Sequence, residues 1–135
     1  MQNAGIRAYV GKLSMDKSTR PTYKEDTTAT SLSSARSFIR RLREQTSAYP
    51  VHRRLVEPVI TPRFVPTCTD ELLAGLGDLS IEEDVHIQSH LAEAHDQVEW
   101  VRQERHAEDI EVFRRVRSFL AVFFFLLHFS LDVLE

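Results

Sequence analysis

Val85-His86-Ile87-Gln88-Ser89-His90-Leu91-Ala92-Glu93 is the stretch from which the fold is read. β-Branched Val85 and Ile87 alternate with polar residues, and a period of two is that of a strand. A strand over Val85–His90 puts His86, Gln88 and His90 on one face and Ile87 and Ser89 on the other. The first face suits a polar barrel interior, and the second can pack on helices. The spacing also rules out a shared metal. On a strand, His86 and His90 stand about 13 Å apart at roughly 3.3 Å per residue, whereas a metal–nitrogen bond is about 2 Å. A helix would allow the pair, as in HExxH sites, but Glu93 falls outside that motif. His90 is left as a ligand candidate at the strand's C-terminal end, with a carboxylate, Glu93, three residues on. In α/β barrels the chemistry sits at that end. A metal-held histidine beside an acid/base glutamate suits metal-assisted hydrolysis. A purely structural histidine and glutamate is the competing reading of these residues alone.

Working outward, Val59-Ile60-Thr61-Pro62-Arg63-Phe64 reads as the preceding strand, with Pro58 at its start and Pro62 near its end. Arg63 beside Phe64 can hydrogen-bond and stack on a planar heterocycle; a salt-bridged arginine and a core phenylalanine form the alternative. Between the two strands, Thr69 or Asp70 caps a short helix bearing Leu72, Leu73, Leu76 and Leu79, weakened by Gly75 and Gly77. Further upstream, Gly5–Lys12 reads as a short strand and Ser14–Thr30 as a polar loop. Ser31–Glu44 reads as a helix with Leu32, Ala35, Phe38, Ile39 and Leu42 on one face. Arg36, Arg40, Arg41 and Arg43 form its opposite, solvated face. Downstream, Glu93–Arg105 reads as a helix with Val98 and Val101 inward. Another starts near Asp109 and runs into the apolar stretch Phe119–Leu131.

Strand and helix therefore alternate, which implies parallel strands with helices packed outside. The expected fold class is α/β, a partial (β/α)8 TIM-type barrel of about three βα units with an apolar C-terminal helical tail. A closed barrel takes about 250 residues, and this chain has 135. Residues 1–110 are read as the barrel fragment and 111–135 as a divergent apolar segment. The tail falls short of the roughly 20 apolar residues of a spanning helix, so no membrane anchor is expected. The N-terminus has no basic segment followed by an apolar run, so it does not read as a signal peptide. A net charge of −3 gives no reason to expect nucleic acid. A single cysteine, Cys68, excludes an internal disulfide and fits a reducing, cytoplasmic setting. Cys68 reads as a small packing residue rather than a nucleophile.

Taken together, Val59–Phe64, His86-Ile87-Gln88-Ser89-His90 and Glu93 resemble the guanine deaminases of the amidohydrolase superfamily. Gly5–Lys12, Met15-Asp16 and Tyr23-Lys24-Glu25 also resemble that family, and the similarity spans about residues 5 to 105. The resemblance implies a zinc-bearing (β/α)8 barrel that hydrolyses guanine to xanthine and ammonia in purine catabolism, as a homodimer in full-length form. It implies His90 as a zinc ligand, Glu93 as the proton shuttle, and Arg63 and Phe64 as purine contacts. The family's His-x-His pair has no counterpart here, and its later histidine and aspartate ligands would follow downstream. The expectation is therefore a truncated, inactive fragment. Two alternatives remain: an amidohydrolase acting on another heterocyclic amine, and a non-catalytic truncated paralogue with an interaction role.

Overall fold

The computed structural model describes residues 1–116. The elements run β1 (Ala8–Val10), β2 (Leu13–Ser14), α1 (Thr28–Thr46), β3 (Val56–Pro62), α2 (Asp70–Glu83), β4 (His86–Ile87), α3 (His95–Arg105) and α4 (Asp109–Arg115). The four strands form one sheet in which β3 pairs with the other three, always in parallel. The expected α/β alternation with a parallel sheet is present.

β1 and β2 hold a single register. Ala8 stands opposite Val56 and Leu13 opposite Thr61, five residues on along both chains, so they are two stretches of one strand interrupted at Gly11-Lys12. Gly11 is needed there because a Cβ would overlap the Thr61 hydroxyl and the Val59 carbonyl. The Val59 and Thr61 row thus runs close under the first strand.

β3 begins at Val56 rather than Val59, so Pro58 lies inside the strand instead of at its start. The reason it is tolerated is directional. The Ile60 carbonyl accepts from Gln88 N–H, so the even-numbered backbone groups of β3 face β4. β4 pairs only from Val59 on, and the proline's missing N–H faces a position where the ladder has not begun.

The helices cover one face of the sheet. Ile60 and Ile87 point to that side and join Ala35 and Ile39 of α1, and Leu72, Leu73, Leu76 and Leu79 of α2, in a single core. Val101, Ala107, Val112 and Phe113 belong to the same core. The other face carries Tyr9, Leu13 and His86, all exposed. Tyr9 and His86 meet edge to face at 5.8 Å, with Val59 buried in the row between them.

α1 is capped by Thr27 and α2 by Thr69, whose hydroxyl accepts from Leu72 N–H. α2 is a full 14-residue helix, and Gly75 has a packing use. A Cβ at Gly75 would lie 2.7 Å from Leu32 Cδ1, so the glycine lets α1 approach α2 closely. The basic face of α1 is not merely solvated. Arg36 forks onto Glu82 at 2.6 and 2.7 Å and also reaches Glu83, while Arg43 bonds Glu83 at 2.7 Å. α3 starts at His95, two residues later than expected, because Ala92 turns left-handed at φ +46°. The expected tail Phe119–Leu131 lies outside the described residues. Among the described residues no helix is long and apolar enough to cross a membrane.

Candidate active site

The ends of β3 and β4 lie side by side, and the candidate residues follow those ends. Arg63 and Phe64 come directly after Pro62, and His90 comes three residues after Ile87. The junction is specific. Gln88 N–H donates to the Ile60 carbonyl at 2.9 Å and His90 N–H to the Arg63 carbonyl at 3.2 Å. β3 thus advances three residues where β4 advances two. The Pro62 carbonyl, skipped by the ladder, accepts from Ser89 Oγ at 2.9 Å instead. This one-residue slip has the character of a bulge, which re-aims the side chain that follows. The expectation of regular alternation through His90 therefore fails. The strand ends at Ile87, and His86 is exposed while His90 is half-buried.

The slip gives His90 a fixed orientation. Its Nδ1 lies 2.9 Å from the Arg63 carbonyl. A carbonyl only accepts, so this contact is a hydrogen bond when Nδ1 carries the proton. Nε2 is then the acceptor nitrogen, the arrangement typical of a metal-binding histidine held by a backbone carbonyl.

Arg63 makes no ion pair among the described residues. Its guanidinium lies 5.5 Å from the Tyr23 ring centre and 5.1 Å from that of Phe64, with Nη1 3.9 Å from Met15 Sδ. The salt-bridge alternative thus does not apply to Arg63, and Phe64 is half-buried rather than in the core. Both line an open cleft of about 810 Å³ together with Lys17, Gln97 and Trp100. Lys17 Nζ stands 5.7 Å from the Trp100 ring centre. One wall of the cleft is anchored by Asp16, which accepts from Thr69 N–H at 2.8 Å, Thr69 Oγ1 at 2.6 Å and Thr28 Oγ1 at 2.9 Å. Those bonds tie the end of β2 to the first turns of α1 and α2.

His90 and Glu93 do not line this cleft. Glu93 is exposed, and its backbone N–H donates to Gln97 Oε1 at 3.2 Å. Among the described residues no three His, Cys, Asp or Glu side chains converge as a metal group would need. Of the donors a zinc ion needs, His90 supplies one, Nε2, when Nδ1 carries the proton. Cys68 is fully buried, and burial pushes its thiol up to about 12, so it stays protonated and unreactive.

The sequence did not single out Asp109 or Gln97. Asp109 is 4% exposed, and burial raises its carboxyl above the ordinary range despite bonds from Ala92 N–H and Gln97. An acid at the first turn of α4 reads as helix-end electrostatics, and nothing in the sequence signals its contact with Ala92.

A parallel sheet with helices packed on one face and polar residues at the strand ends defines an α/β architecture. The sequence profile of the amidohydrolase family matches residues 1–118, and the chain belongs to that family. It is 43% identical over 98 residues to the guanine deaminase of Dictyostelium discoideum, covering 73% of this chain and 20% of that enzyme. The chain thus spans about a fifth of the length of this curated relative. The crystal structure of guanine deaminase from C. acetobutylicum, with guanine bound in its active site, superposes with a TM-score of 0.78 at 32% identity, over 97% of this chain and 30% of that one. Atrazine chlorohydrolase from Arthrobacter aurescens TC1, complexed with zinc, shares the fold at a TM-score of 0.70 and 15% identity, over 90% of this chain and 27% of that one.

Proposed function

We propose that this chain carries one sector of a guanine deaminase active site within a (β/α)8 barrel, converting guanine and water to xanthine and ammonia. The observation that carries the reading is the junction at the Arg63 carbonyl. It sets Arg63 and Phe64 beside His90 at neighbouring strand ends, in a chain 43% identical to a guanine deaminase. Arg63 and Phe64 would bind the purine, the guanidinium by hydrogen bonds and the ring by stacking. His90 Nε2 would hold zinc, which when bound lowers the pKa of a water. Glu93 would carry one proton from the attacking water to the ring nitrogen and then a second, from the hydroxyl so formed, to the amine that leaves as ammonia. A catalytic zinc takes about three protein donors. The other donors would come from further barrel strands, so the isolated chain is expected to be inactive. The setting would be purine catabolism in the cytoplasm, with a homodimer as the full-length assembly.

The test is xanthine formation from guanine with added zinc, against a panel of other aminated heterocycles. It is run on the chain alone and on a version extended to the whole barrel. The extended protein is expected to prefer guanine and to lose about a hundredfold or more in kcat on Glu93→Gln. Preference for another heterocycle, or unchanged turnover in that variant, would refute the proposal.

A further inference from the structure

We infer that Asp109 and Gln97 form a positioning pair that fixes the turn carrying Glu93. The inference deepens the reading of Glu93 as proton shuttle and rests on it for its catalytic meaning. The turn after β4 is not held by a helix cap: Ala94, the residue before α3, makes no side-chain capping bond. Ala92 sits at φ +46°, a region a residue with a Cβ seldom adopts unless its surroundings impose it. Asp109 supplies the constraint, because its Oδ2 accepts from Ala92 N–H at 3.2 Å. The same oxygen accepts from Gln97 Nε2 at 3.4 Å, and Gln97 Oε1 accepts from Glu93 N–H at 3.2 Å. Two successive backbone donors of the turn, at Ala92 and Glu93, are therefore held by one side-chain chain running from α4 to α3.

Asp109 is well placed for this. It is 4% exposed, and neighbouring Val112 and Phe113 lock the first turn of α4 into the core. Glu108 and Glu111 close a reciprocal capping box around the same turn. The clamp thus transmits the rigidity of the core to an exposed glutamate. Asp109 and Gln97 touch the backbone that carries Glu93, so they act as positioning residues.

The experiment is amide-proton exchange by NMR on the full chain, with Asp109→Ala, Asp109→Asn and Gln97→Ala. Asp109→Ala is expected to speed exchange at Ala92 and Glu93 about tenfold, the size of one lost hydrogen bond, while Val98 and Val101 in α3 keep their rates. Asp109→Asn retains an acceptor and should restore Ala92. Gln97→Ala should release Glu93 alone, and it decides the matter if Asp109→Ala does not fold. Unchanged rates at Ala92 and Glu93, or equal acceleration at Val98 and Val101, would overturn the clamp. Guanine turnover in Glu93→Gln of the protein extended to the whole barrel tests the shuttle separately, so either idea can fail without the other.

Discussion

Asp16 is half-exposed, yet it accepts three hydrogen bonds from two helix starts. Removing it leaves Thr69 N–H and two hydroxyls without that partner, so Asp16→Ala is expected to cost about 1–3 kcal/mol in urea unfolding. Asp109 makes a pH prediction. Burial holds its carboxyl above the ordinary 3.8, so the folded chain binds that proton more tightly than the unfolded one. Its contribution is fully present below 3.8 and is lost as pH rises through the raised folded value. Asp109→Asn has no such ionisation. Relative to the parent, the variant should therefore gain stability as pH rises across that window, read from urea midpoints at several pH values; parallel profiles would contradict this. For Cys68, a buried thiol pushed up to about 12 should react with a disulfide reagent only on the timescale of unfolding.

Among the elements, β3 is central, since every other strand pairs with it and both α1 and α2 pack on it. Its contact with the first strand depends on Gly11. Gly11→Ala would press a methyl group against the Thr61 hydroxyl and the rigid Val59 carbonyl. A loss of about 1–3 kcal/mol is expected, with NMR shift changes at both positions. α2 shows how a sequence can mislead about an element. Gly75 lowers helix propensity by about 1 kcal/mol, but the space it leaves holds Leu32. Tertiary packing therefore sustains a helix that propensity alone would mark as weak. In β3, the placement of Pro58 followed the direction of one missing N–H, which a search for strand boundaries does not see.

For the molecule as a whole, one sheet face is covered by helices and the other presents Tyr9 and Leu13 at nearly half exposure. Among the described residues, the outer edges of β1 and β4 have no strand beside them. Unpaired edges and exposed apolar side chains favour association. The isolated chain is expected to self-associate with rising concentration, measured by sedimentation velocity; a concentration-independent monomer would argue against it.

The sequence by itself determined the α/β order, the parallel pairing and the inward faces of α1 and α3. Periodicity and capping are local signals, and Ala35, Ile39, Val98, Val101 and Thr69 all follow them. Resemblance to a family added the pairing of Arg63-Phe64 with His90 and Glu93. Only the tertiary structure decided how His90 is oriented, because that depends on a one-residue slip between β3 and β4 in which the Pro62 carbonyl is taken by Ser89. It also decided that Arg63 lies over the Tyr23 and Phe64 rings and makes no ion pair among the described residues, and that Asp109 reaches back 17 residues to Ala92. These are contacts between segments distant in the chain. Their geometry follows from how strands and helices pack, and no local pattern of residue types encodes it.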